Sequence, residues 1–298
     1  MPASPASNFG VEGELEYEVF LEGRPSEAKT FSFRVELLAG NYRIHTKLLT
    51  STFPPIRDPI HPKAESIDEV ICQNRSGDLF CYGLTKTMRS SYVEVGFPPD
   101  LSYPGEALLW LCFCSASHFQ DVANRRRFPM FESVAFENAS EFIFEELPGG
   151  SGLPAHISYQ APSASRGARE TSTWLEPDDV PPLPDSVFAV EFIVSKTASF
   201  RDNSLPEAAQ LTSRHRLLRE STLRTLFCRR IAVTRYFTPE PFPPLFSDTS
   251  QAVPVVDYRF KHQLGDPLQY RLTNDVMLDR ADPKLQDLLE AAMRSSGL

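Results

Sequence analysis

The chain is predicted to be mainly β, a β-rich α+β fold: one antiparallel sheet packed on a buried helix, with a second helix at the C terminus. Three observations predict it. Apolar and polar residues alternate over several stretches of strand length, while "ALLWLCFCSA" (107–116) is apolar nearly all round, as a buried helix is. The 26 Pro and 22 Phe against only 14 Gly read as strands broken by proline-rich loops. With 298 residues and 41% of them apolar, the chain can bury a sizeable core.

The leader "MPASPASNFG" (1–10) reads as disordered, and 11–298 as a single β-rich domain with a long Pro/Ser/Gly-rich loop at 148–186. The first strand, 11–21, opens with "GELEYEVF", where Glu14, Glu16 and Glu18 alternate with Leu15, Tyr17 and Val19. In "KTFSFRVELLA", Phe31, Phe33, Val35 and Leu37 share a face. Gly40 and Asn41 carry a two-residue hairpin signal, and in "YRIHTKLL" Tyr42, Ile44 and Leu48 oppose Arg43, His45 and Lys47. A loop at Gly40 and Asn41 sets Leu37 against Ile44, Glu36 against His45 and Arg34 against Lys47. For the first hairpin, a register of Leu15 against Phe33 and Glu14 against Arg34 keeps apolar with apolar. The glutamates are then the wet face of the sheet, balanced by Arg34, Arg43 and Lys47.

A hairpin follows at 68–84, then a strand in "SSYVEVGF". Pro104 suits the first position of the buried helix, whose end carries the basic "NRRRFP" (124–129), and cations favour a helix C terminus. Strands are expected at 139–147 and 155–160, in "SVFAVEFIVSK" and in "TLFCRRIAVTRYF". The composition of "PEAAQLTSRHRLLRES" favours a helix but also allows a strand after Pro206. "VVDYRF" reads as a strand with Val256, Tyr258 and Phe260 inward and Asp257 and Arg259 on the other face, a charged pair of structural use. The last helix starts with Asp282 as its cap and Pro283 at its first position, with Leu285, Leu288, Leu289 and Ala292 as one apolar stripe.

The net charge of -9 and pI near 5.3 argue against general nucleic-acid binding. Nearly all the excess acid lies in residues 1–150. The arginine-rich run 214–235 therefore reads as cross-strand partners for acidic strands rather than as a nucleic-acid surface. Five cysteines at irregular spacing make no disulfide framework. The hairpin can set Cys72 opposite Cys81, where two buried thiols are expected in preference to a bridge. Cys112 and Cys114 read as core packing. His45, His61, His118, His156, His215 and His262 are scattered singly, without metal-ligand spacing. "GGSGL" (149–153) lacks the second glycine of a nucleophile elbow and sits in a loop, so Ser151 is not read as a nucleophile. No cofactor fingerprint is found, and no run reaches the length of a membrane span.

The order of elements, a meander beginning "GELEYEV", a buried helix "ALLWLCFCSASHF" and further strands ending in "VVDYRF", resembles β-rich proteins of the bacterial envelope related to the lipoprotein carriers LolA and LolB. That resemblance implies a strongly curved half-barrel wrapped over the helix, an apolar cavity on its concave face, and a protein exported with a signal peptide or lipid anchor.

The reading is a non-enzymatic envelope protein that binds an apolar ligand, a lipid or a lipoprotein acyl chain, in the concave face. Phe33, Val35, Trp110 and Phe113 line that cavity. The expected partner is a lipid or lipidated protein, with peripheral membrane association, a monomeric state, no nucleic acid, no metal and no cofactor. The location is the periplasm or envelope if an export signal has been removed, and otherwise the cytoplasm. Two rival readings are a structural or protein-interaction module with a filled core, and a hydrolase whose site is assembled by the fold.

Overall fold

The computed structural model describes residues 8–21, 24–38, 41–52, 67–75, 78–85, 91–95, 108, 111–112, 141–164, 182–216, 222–243, 252–272 and 278–296. Thirteen strands form one sheet: β1 (Gly10–Leu21), β2 (Arg24–Leu38), β3 (Asn41–Ser51), β4 (Ile67–Arg75), β5 (Asp78–Thr85), β6 (Ser91–Val95), β7 (Glu141–Glu146), β8 (Pro154–Ala164), β9 (Pro182–Phe200), β10 (Asn203–Arg216), β11 (Arg224–Phe237), β12 (Val253–Asp257) and β13 (Leu268–Leu272). Their order is β13-β12-β6-β5-β4-β3-β2-β1-β11-β10-β9-β8-β7, so the sheet is open, with β13 and β7 at its edges. All neighbours are antiparallel except β12 and β6, which run parallel. Two short helical pieces follow β12: a 3-10 turn (Tyr258–Phe260) and α1 (Lys261–Leu264). Helix α2 (Pro283–Ser296) ends the described chain.

The mainly β class, the large antiparallel sheet and the C-terminal helix are as expected. Pairing along β1 and β2 differs from the expected register by two residues: Leu15 faces Phe31 and Glu12 faces Arg34. The β2–β3 ladder closes at Leu38 and Asn41 and sets Val35 against Ile44, again two residues from expectation. Both slips keep every side chain on its expected face, because the side-chain period of a strand is two. Strand β1 begins at Gly10, within the stretch expected as leader. Phe9 is buried, and its carbonyl accepts from the Leu37 N–H at 2.9 Å, which ties this end of the chain to β2. The stretch 148–186 is not one loop either, since β8 and β9 occupy 154–164 and 182 onward. Residues 165–181 lie outside the described residues.

The ambiguous stretch after Leu205 is strand β10, paired on both sides, and sheet formation overrides its helical composition. A bulge beside Pro206 accommodates a residue that cannot donate to the ladder. "GGSGL" forms the β7–β8 connection. Gly149, Gly150 and Gly152 have φ of 98°, 75° and 69°, in the left-handed region that glycine adopts without strain. Leu147 N–H donates to the Leu153 carbonyl across it at 2.8 Å.

Two chain crossings build the molecule. The segment between β6 and β7 must pass from one side of the sheet to the far edge, and it contains Leu108, Leu111 and Cys112, three buried helical residues. They pack into a core with Val11, Leu15, Phe33, Val35, Ile44, Phe192, Leu211 and Ile231, so these three residues of the crossing lie over the inner face. The segment from β11 toward β12 sets out on the outer face, where Arg43 of β3 donates to the Pro243 carbonyl. Phe237 begins it, with its ring against β1. A Cβ on Gly10 would lie 2.3 Å from that ring, so the close approach requires glycine there. Arg34 stacks on the same ring, with Cζ 4.3 Å from the centroid.

A second core lies on the outer face at the β13 side. Neighbouring residues of β4 divide between the two: Cys72 belongs to the inner core and Ile71 to the outer one, with Phe80, Tyr82, Val255, Tyr270, Leu272, Leu285 and Leu289. Helix α2 covers that core with the expected stripe, and Asp282 caps it by accepting from the Lys284 N–H at 2.9 Å.

Candidate functional site

The inner face is built of cross-strand rows. One row runs Phe142, Tyr159, Val190, Ser213, Phe227 through β7, β8, β9, β10 and β11. The next runs Ile157, Phe192, Leu211, Arg229, Tyr17 and Lys29, ending on β2. A third holds Ala209, Ile231, Leu15, Phe31 and Leu48. Most of these positions are apolar because alternating strands place every second residue here. Gly13 is in this face too, and the Phe33 ring lies over it, 2.8 Å from where a Cβ would stand.

Of the residues expected to line a cavity, Phe33 and Val35 are here, both buried beside Leu108, Leu111 and Cys112. Trp110 and Phe113 lie outside the described residues. Burial pushes the Cys112 thiol well above its ordinary range, as an apolar cover does to a group that must lose its proton to become charged.

The face is not wholly apolar. Arg229 is 5% exposed, with its Cζ 4.6 Å from the Phe227 ring centroid and 5.2 Å from that of Tyr17. Ser213 is 0% exposed, and among the described residues its hydroxyl has no hydrogen-bond partner. Tyr17, Phe227 and Phe142 are half-buried, so this end of the face is less fully covered than its centre. The signal for Arg229 was present in the sequence: in "FCRRIAV" the two adjacent arginines must point to opposite faces, and Arg229 alternates with Phe227 and Ile231.

On the outer face, the glutamates of β1 do pair with arginines, but mainly those of β11. Glu18 meets Arg230 at 2.7 Å, while Glu12 bridges Arg235 and Arg34, each at 2.7 Å. The hydrogen bond from Arg235 holds the Glu12 carboxyl below its ordinary range, with the charges of Arg235 and Arg34 adding to it. The arginine-rich run thus supplies cross-strand partners, as expected for Arg230, Arg235 and Arg214. His45 lies 2.6 Å from Glu69 on the same face.

Toward β7, an outer depression of about 220 Å3 is lined by Ile143, Ser158, Gln160, Glu191, Thr212, Arg214 and Leu223, among others. Glu191 accepts from Arg214 at 3.1 Å and lies 3.8 Å from His156 Nε2. Ser151 is buried in the β7–β8 turn, where its Oγ lies 3.4 Å from the Leu153 N–H, a position that braces the turn. Among the described residues no cluster of His, Cys, Asp or Glu could hold a metal. No described helix is long and apolar enough to cross a membrane.

Asp257 and Arg259 depart from expectation. Strand β12 ends at Asp257, and Val253, Val255 and Asp257 point into the outer core, the reverse of the expected face. Arg259 bonds both Asp257 oxygens, Tyr270 donates to the same carboxylate at 3.2 Å, and Arg259 also reaches the Leu278 carbonyl. Alternation of charge with apolar residues fits either face; these partners make the buried one tolerable.

Fold and site together define an open mainly-β protein with an apolar core on each side of one sheet, the inner one polar at one end. No protein-family model matches the chain, and no curated protein matches it. Among solved structures it is similar to a DUF1329 family protein from Desulfovibrio piger, with a TM-score of 0.34 and 6% identity, over 83% of this chain and 91% of that one. A likeness so distant carries no argument about activity.

Proposed function

We propose that this protein is a non-enzymatic binder of an apolar molecule, a lipid or an acyl chain, held between the inner face of the sheet and the helix that crosses it. The observation that carries this reading is the separation of cover from sheet. The inner face spans β4 to β8, yet its cover belongs to the crossing segment between β6 and β7. Leu108, Leu111 and Cys112 meet the sheet through apolar packing, a contact that can part to admit an apolar chain without breaking the ladder's hydrogen bonds. Work at the bacterial envelope as a monomer, peripherally associated with a membrane, follows the resemblance to the LolA and LolB carriers.

The test is native mass spectrometry of gently purified protein, with extraction of whatever travels with it. A stoichiometric lipid or fatty acid, lost on denaturation, is the expected result. A bare protein that also takes up no neutral fluorescent acyl probe would overturn the reading.

A second reading has its own observation. Ile143, Ile193 and Leu223 are 50%, 42% and 37% exposed, two of them lining the outer depression. Exposed apolar residues gathered around a concavity suit a protein partner. A filled inner core with a partner on this surface is what remains if no ligand is taken up.

A further inference from the structure

We infer that the outer depression is a carbohydrate site, which takes one neutral pyranose unit of a glycan. The site lies on the face opposite the proposed acyl chain and does not depend on that reading. Its occupant is a sugar where the second reading has a protein.

The depression is built by register. One cross-strand row runs Ile143, Ser158, Glu191 and Thr212 across β7, β8, β9 and β10, and the next holds Gln160, Ala189 and Arg214. Ser158, Ala189 and Thr212 are short, while Ile143, Gln160, Glu191 and Arg214 are long and stand around them. A hollow follows from that difference in length. Leu223, just before β11, adds to its wall. The outer core does not reach this place, since its strands are β4, β5, β12 and β13.

The walls specify the kind of ligand. Glu191 accepts from Arg214 at 3.1 Å, so their formal charges offset each other and the hollow selects neither an anion nor a cation. His156 Nε2 lies 3.8 Å from the other Glu191 oxygen, and Gln210 donates to the Thr212 hydroxyl at 3.0 Å. Hydroxyls, an amide, a carboxylate and a guanidinium thus line one small space, and together they both donate and accept. Carboxylate and guanidinium are planar and present paired atoms, a spacing that suits two neighbouring hydroxyls. Ile143 and Leu223 are 50% and 37% exposed and offer an apolar ledge to the C–H face of a sugar ring. The volume of about 220 Å3 is below the roughly 300 Å3 at which pockets for drug-sized ligands begin, and suits a single ring.

The experiment is saturation-transfer NMR on the full chain with maltotriose, chitotriose, trigalacturonate and glycine. At least one neutral trisaccharide should receive saturation, most strongly at one ring, with a dissociation constant of about 1 mM or lower. Ala189→Leu fills the floor and should abolish the signal. Ser158→Ala should weaken binding about fivefold, the loss of one neutral hydrogen bond. Hexadecanoate should not change either result. If Ala189→Leu does not fold, Ser158→Ala decides alone. Absence of saturation in both neutral trisaccharides would overturn the sugar site and leave the acyl-binding reading standing. A signal that survives Ala189→Leu would place the sugar elsewhere and overturn it as well. Preference for trigalacturonate or for glycine would make this a charged-ligand site. Capture of a protein that Ala189→Leu blocks, with neither trisaccharide bound, would return the depression to the second reading.

Discussion

Two large cores on opposite faces of one sheet are closed in different ways. The inner core spans β4 to β8, and the crossing segment between β6 and β7 is its cover. The outer core joins β4, β5, β12 and β13 to α2 and is locked by the Asp257–Arg259 pair, whose side chains are 0% and 1% exposed. Its cover follows β13 directly in the chain, and Arg259 ties it down through the Leu278 carbonyl. A local, hydrogen-bonded cover makes a structural cap. A cover brought from elsewhere and held by packing is the kind that can yield to a ligand.

The largest effects should come from opening each core. Phe192→Ala on the inner face should cost about 3–5 kcal/mol, and Leu285→Ala in α2 about 2–5 kcal/mol, read from denaturant unfolding. Hydrogen exchange should then distinguish them: loss of Leu285 should loosen β12, β13 and α2 while β1 and β2 keep their protection. Uniform loss across the sheet would mean that the two cores are one cooperative unit. Asp257→Asn should be nearly as damaging, about 3–5 kcal/mol, because it leaves the Arg259 charge buried without its counter-ion. Replacing both, Asp257→Leu with Arg259→Met, should recover much of that loss; failure to recover would show that the pair also fixes the 3-10 turn.

Smaller effects concern the sheet between the cores. Gly10→Ala should cost about 1–3 kcal/mol by driving the Phe237 ring off β1, and combining it with Phe237→Leu should relieve most of it. At the smallest end is Glu12. Its carboxyl is held below the ordinary range in the fold, so its stabilisation is complete above about pH 4.5 and is lost as pH falls through the lowered value. Glu12→Gln should remove that acid-side component, within the roughly 0.2–1 kcal/mol typical of exposed pairs, and leave stability near neutrality little changed in slope. A variant as acid-sensitive as the native chain would exclude Glu12 as the group responsible.

Alternation made the faces of β1, β2 and β3 legible in the sequence, because burial depends on parity alone. Register was not legible to better than two residues, since a shift of two preserves parity and every apolar match. The fate of Asp257 and Arg259 was hidden for a related reason. Their burial depends on Tyr270 and the Leu278 carbonyl, partners that only the fold brings near. Phe33 and Val35 were readable as inner residues from their own strand. Arg229 was readable from its doublet with Arg230, whereas the arginine-rich run as a whole reads only as cross-strand partners. Ser213 carried no local signal, because its burial depends on the cross-strand neighbours Val190 and Phe227, which strand order alone supplies.

The most direct test of the central claim uses a reporter in the crossing segment itself. The chain has two tryptophans, Trp110 and Trp174. With Trp174→Phe, the remaining emission belongs to Trp110, which lies between the buried Leu108 and Leu111 in the sequence. Titration with a fatty acid brominated along its chain should quench that emission in a saturable way, with one acid per protein and no change in unfolding cooperativity. Saturable binding that leaves Trp110 emission unquenched would place the chain elsewhere, and no binding at all would mean that the inner face is a filled core.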